Sequence, residues 1–101
     1  MPYSLDYKPS VRGFLRNCSH LSRQGRIRLF SMLDSGLRQH GDSIIADPAR
    51  CVNEEKRIFL FDFAFIDGDG DGKIHHFRFF FDASSAPFGV LRIVYADESS
   101  G

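Results

Sequence analysis

The stretch "RIFLFDFAFI", from Arg57 to Ile66, places phenylalanine at four successive odd positions, Phe59, Phe61, Phe63 and Phe65. A spacing of two is the period of a β-strand, whose side chains alternate between faces. The rings therefore share one side, and Leu60, Asp62, Ala64 and Ile66 share the other. One side is solid aromatic core. The rest of the chain has to supply a layer that covers it.

The same rhythm returns after an acidic loop. In "KIHHFRFFFDA" Phe77, Phe79 and Phe81 fall on one side, with Ile74, His76, Arg78, Phe80 and Asp82 on the other. "SSAPFG" marks a second turn, and in "VLRIVYAD" Leu91, Ile93 and Tyr95 oppose Arg92 and Val94. Upstream, "YSLDY" alternates as a short strand with Tyr3, Leu5 and Tyr7 on one side. Pro9 and Ser10 end it, and Ser10 is placed to cap a short helix that carries Val11, Phe14 and Leu15 and finishes around Asn17 to Ser19. Ser22 caps a second helix, in which Ile27, Phe30, Leu33 and Leu37 recur at helical intervals and Leu29 widens the stripe. Arg23, Arg26, Arg28 and Arg38 fall outside that stripe, and Gly41 after His40 supplies a stop. "SIIADPARCVNEEK" reads as an irregular connection, with Ile44 and Ile45 tucked in. The expected fold is α+β: an N-terminal strand, a helical hairpin, then a three-stranded antiparallel meander, with the helices packed on the phenylalanine face.

A chain of 101 residues, 43% of them hydrophobic, has room for one domain, with a core expected over 3–97 and a frayed tail over 98–101. Thirteen basic residues cancel thirteen acidic ones, so nucleic-acid binding would need a local patch rather than a broad positive field. Cys18 and Cys51 lack the spacing of a zinc site or a disulfide framework and read as buried or idle thiols. No apolar run approaches the ~20 residues that cross a bilayer, and the N-terminus lacks the layout of a secretory signal, so no membrane association and a cytoplasmic location are expected.

"IDGDGDGKI" imitates a calcium loop, with Asp67, Asp69 and Asp71 alternating with glycines. The twelfth position from Asp67, where a bidentate carboxylate closes such a loop, is Arg78, and both flanks have strand period. A polar hairpin turn is the expected structure, with weak calcium binding at Asp67–Asp71 as the minor alternative. Three aspartates would repel a phosphate. Adjacent strand residues point to opposite faces, so His75 and His76 cannot share one metal, and neither a metal site nor a cofactor is expected.

Pairing Ile66 with Ile74 across that hairpin sets Asp62 opposite Arg78 and Ala64 opposite His76, with Arg92 on the next strand. Asp62, His76, Arg78 and Arg92 are thereby predicted to converge on the face away from the phenylalanines. An imidazole moves protons near neutral pH and guanidinium groups hold a phosphate and its developing charge, a set suited to RNA cleavage by the ribose 2′-hydroxyl. The plainer reading is a solvated cross-strand ion pair with His76 beside it. The cluster also suits a protein interface, where arginine is a favoured anchor.

The order "YSLDYKPSVRGFLRN", an Arg-rich helix and "HFRFFFDASSAPFGVLRIVYAD" resembles the RelE/ParE toxin superfamily of bacterial toxin–antitoxin modules. Phe77–Arg78 and Phe81 are similar to the YR-x-x-Y pattern of that family's penultimate strand. The resemblance implies an antitoxin partner. In the RelE branch it implies a metal-independent endoribonuclease that cuts messenger RNA on the ribosome, with Arg78 as the phosphate-binding arginine. In the ParE branch it implies DNA gyrase as target. Roles for Asp62, His76 and Arg92 come from their placement, not from the family. The neutral charge and the acidic "VYADESSG" end, with Asp97 and Glu98 where RelE-type nucleases carry cations, motivate the alternative of a non-catalytic protein-binding module of the same fold.

Overall fold

A computed structural model describes residues 3–99. Strand β1 (Ser4–Tyr7) leads into helices α1 (Pro9–Arg16) and α2 (Arg23–Ile45), followed by strands β2 (Cys51–Asn53), β3 (Ile58–Ile66), β4 (Ile74–Asp82) and β5 (Val90–Ser99). One five-stranded sheet has the order β1-β5-β4-β3-β2, with β1 parallel to β5 and the other neighbours antiparallel. The α+β class is as expected. The meander has one strand more than expected, because part of the supposedly irregular connection, Cys51–Asn53, turns back onto Phe59 and Ile58 as β2.

Both helices cover the phenylalanine face. Phe77, Phe79, Phe81, Leu91 and Ile93 from the sheet and Val11, Leu29, Leu33 and Leu37 from the helices are fully buried. Each such side chain contributes about 1.5–3 kcal/mol of transfer free energy, which makes this layer the main source of stability. The β3–β4 register is the one that the two-residue rhythm predicts: Ile66 pairs with Ile74, Asp62 with Arg78 and Ala64 with His76.

Several local expectations are corrected. The cap of α1 is Lys8, not Ser10, because Pro9 takes the first helical turn, where its fixed φ fits and its missing N–H costs nothing. Helix α2 does not stop at Gly41 but runs to Ile45. A side chain at 41 would meet Tyr3 and Leu91 within 3.0 Å, so glycine there admits the N-terminal strand and β5 rather than ending the helix. The buried row of α2 is Gly25, Leu29, Leu33, Leu37 and Gly41, an i, i+4 ridge that leaves Ile27 54% and Phe30 42% exposed, against the predicted stripe.

The last strand holds the largest correction. Phe80 pairs with Tyr95 but Phe81 pairs with Ile93, so Val94 is an extra residue, a β-bulge. From there the alternation inverts. Tyr95, Asp97 and Ser99 follow the outer residues Phe80, Arg78 and His76, while Ala96 and Glu98 pair with the inner Phe79 and Phe77. Tyr95 is thus 54% exposed instead of buried, and Glu98 and Ser99 belong to β5 instead of a frayed tail; residues 100 and 101 of that tail lie outside the described residues.

Candidate functional site

The outer face of the sheet brings three of the four predicted residues together. Asp62, His76 and Arg78 line a shallow depression of about 320 Å³ with Phe63, Ala64, Phe77 and Ser99. Arg92 is elsewhere: it stands opposite Asp82 and Asp6, four residues along β4 from Arg78, or about 13 Å at strand spacing. Asp62 and Arg78 are cross-strand neighbours but not ion-pair partners. Arg78 donates two hydrogen bonds to Asp97, at 2.7 and 2.6 Å, and its guanidinium lies over the Phe80 ring. Asp62 is taken by Arg50, and Arg92 by Asp6 at 2.9 Å. Each outer-face arginine named here is thus held by a carboxylate. A phosphate arriving on this face would have to displace those carboxylates.

Free positive charge gathers on the helices instead. Because α2 buries its Leu29–Leu33–Leu37 ridge, Ile27 and Phe30 turn outward and form, with Leu15, Arg16, Arg23 and Arg26, a groove of about 480 Å³ between α1 and α2. Among the described residues Arg16 and Arg23 have no carboxylate partner, and Arg26 donates only to the carbonyls of Cys18 and Leu21. The sequence pattern placed Ile27 and Phe30 in the core, so the groove was missed. Its signal was the fourfold spacing of Gly25, Leu29, Leu33, Leu37 and Gly41.

The acidic hairpin tip is a structural clamp. Asp67 is fully buried, and its carboxylate accepts from the Ser22 backbone N–H at 2.6 Å, the Ser22 hydroxyl at 2.9 Å, the Asp69 N–H and Arg28. These donors, the Ser22 backbone N–H foremost, hold its pKa below the ordinary carboxylate value although burial opposes them. Ser22 meanwhile caps α2 through Gly25, as its sequence predicts. With both oxygens turned inward to protein donors, Asp67 is not disposed to open a calcium loop, and the flanks are strands.

His75 and His76 part to opposite faces, as adjacent strand residues must. His76 stays on the outer face. His75 faces inward at the hairpin end of the sheet, its side chain 10% exposed, and meets residues from two other segments. Its Nε2 lies 3.0 Å from Asp71 Oδ2 and its Nδ1 3.3 Å from Glu98 Oε2, while His20, from the α1–α2 connection, lies 2.6 Å from Glu98 Oε1. The two imidazole rings are 5.0 Å apart. Asp71 raises the His75 pKa above its ordinary value, Glu98 adds to this, and burial opposes both. No helix among the described residues is long and apolar enough to cross a membrane. Comparison of the chain with protein-family models, with curated proteins and with solved structures finds no match.

Proposed function

We propose that this chain is the toxin-like component of a bacterial toxin–antitoxin module and that it works as a protein-binding module, its α1–α2 groove taking an acidic amphipathic helix of the antitoxin. The element order and Phe77–Arg78–Phe81 motivate the family reading. The observation that carries the binding reading is the division of charge. Arg78, Arg92 and Arg50 on the sheet face are neutralised in place, whereas Arg16 and Arg23 stand unpaired beside the exposed Ile27 and Phe30. An apolar floor with a cationic rim matches a helix that presents apolar residues at i, i+3, i+4 and carboxylates on its flanks. Aromatic and arginine anchors are the residues that dominate such interfaces. For the free toxin the proposal takes a protein target, for which gyrase is the precedent that the resemblance supplies.

A second reading, a metal-independent, ribosome-dependent mRNA endoribonuclease, is favoured by the meeting of Asp62, His76 and Arg78 at one depression. There His76 would transfer the 2′-hydroxyl proton and Arg78, released from Asp97, would hold the scissile phosphate.

Co-expression with the antitoxin that the resemblance implies, sought as the product of an adjacent small reading frame, tests both. The binding reading expects a complex that weakens with salt, is lost in Arg16→Glu/Arg23→Glu and in Phe30→Asp, and survives Arg78→Ala. A complex indifferent to all groove variants overturns it. Message cleavage and growth arrest by the chain alone, both abolished by His76→Ala and Arg78→Ala, would install the nuclease reading instead.

A further inference from the structure

We propose that His20, His75 and Glu98 form a binding site for a zinc-class transition-metal ion, with Asp71 as the carboxylate that orients His75. The three side chains come from the α1–α2 connection, the start of β4 and the end of β5, and one potential ligand atom from each lies within 4.8 Å of the other two. Two imidazoles and one carboxylate are a donor set for zinc and its neighbours, while magnesium and calcium prefer all-oxygen shells.

The geometry assigns a separate job to each nitrogen of His75. Nδ1 looks toward Glu98 and the shared space, and Nε2 is 3.0–3.1 Å from both oxygens of Asp71. A metal-bound histidine characteristically gives its other ring nitrogen to a carboxylate, which fixes the tautomer and the ring plane. Asp71 is itself tied down by the Lys73 backbone N–H at 2.9 Å. His75 is the preset member of the set, being nearly buried, whereas His20 and Glu98, 43% and 31% exposed, have room to adjust around an ion. Ligand atoms about a tetrahedral ion at ~2.0–2.1 Å lie roughly 3.4 Å apart, so the 3.3 Å between His75 Nδ1 and Glu98 already fits, while the 2.6 Å between His20 and Glu98, now a hydrogen bond, would open by less than ~1 Å through side-chain rotation. Three protein ligands leave the fourth position open to water, the arrangement of catalytic rather than closed structural zinc sites. The Val94 bulge makes the site possible, since an unbroken alternation would send Glu98 to the outer face.

Titration of the metal-free chain with Zn²⁺ and, separately, Co²⁺ tests the assignment. One ion per chain is expected, with visible Co²⁺ bands of a four-coordinate site. His20→Ala and Glu98→Gln should abolish the bands, and Asp71→Asn should weaken Zn²⁺ binding by about 10–100-fold, the usual effect of removing an outer-shell partner. His40→Ala and His76→Ala should bind as the unaltered chain does. Because His20 is largely exposed, its alanine variant is expected to fold, which circular dichroism checks. Binding that persists in His20→Ala, that disappears in His40→Ala or His76→Ala, or that fails at micromolar Zn²⁺ in the unaltered chain overturns the proposal.

Discussion

Two glycines at helical positions should respond to the same substitution with opposite sign. Gly13 in α1 has nothing within 4 Å of where a Cβ would stand. Gly13→Ala therefore realises the helix-propensity difference, about 0.8–1 kcal/mol in favour of alanine. For a domain of this size that raises the melting temperature by roughly 3–8 °C. Gly25 in α2 has the same propensity deficit, but its Cβ would sit 2.4 Å from Oδ2 of Asp67. The carboxylate has no retreat: Ser22 grips both oxygens, and a side chain at Gly70 on the other flank would be only 2.5 Å away. Overpacking of this kind costs about 1–3 kcal/mol, and with the carboxylate gripped in place the upper half of that range applies, leaving a net loss of about 1–2 kcal/mol after the propensity gain of ~1 kcal/mol. Gly25→Ala should thus lower the melting temperature, by roughly 5–15 °C. Thermal unfolding followed by circular dichroism reads both variants. The decisive arm is a double-mutant cycle. In an Asp67→Ala background the obstacle is gone, and Gly25→Ala should become neutral or stabilising. If Gly25→Ala stabilises the unaltered chain as Gly13→Ala does, or if its cost is unchanged without Asp67, the clamp between hairpin and helix is wrong.

Three further outcomes follow from the same contacts. Asp67 has a depressed folded-state pKa, so it contributes stability that is present above the ordinary carboxylate value and lost as pH falls through the folded one. Chemical denaturation from pH 6 to 2 should show a decline below about pH 4 that Asp67→Asn flattens, and an identical slope in the variant would refute the assignment. Ser22→Asp, elsewhere as good a cap as serine, should melt below Ser22→Ala here, because the new carboxylate faces Asp67 at the site of a 2.9 Å hydrogen bond; equal melting points would count against that contact. Burial pushes the Cys18 thiol up to about 11, so at pH 8 a thiol reagent should modify Cys51 promptly and Cys18 only on unfolding, and two fast thiols would contradict the packing around α1.

The middle of the sheet was legible because two-residue alternation is a geometric statement: it specifies which side chains share a face, and with a short hairpin it specifies their cross-strand partners. Hence Asp62, His76 and Arg78 could be brought to one surface from the sequence. Their pairing was not legible, because Arg78 had a choice of carboxylates and the nearer one depended on Val94. Nothing in "RIVYAD" distinguishes a bulged strand from a regular one. Ser22 was readable as a cap, but its second bond joins residues 45 positions apart. His20 and Glu98 are 78 positions apart, in a connection and at a chain end, where no periodicity operates. Ile27 and Phe30 misled because a hydrophobic stripe tells which side of a helix is apolar and not which part of that side another layer reaches.

The inserted Val94 also makes this chain unequally vulnerable to two kinds of genetic change. A point substitution in the last strand alters one side chain on one surface. Loss of one codon there is absorbed, because without Val94 the residues Ile93 and Tyr95 become ordinary neighbours opposite Phe81 and Phe80 and the surfaces stay as they are. Gain of one codon after Tyr95, with the bulge unchanged, would exchange them, so that Asp97 would swing beneath the helices, Glu98 would emerge beside His76, and the arginine pair and the histidine cluster would be dismantled together. The segment can give up one position but cannot take on another.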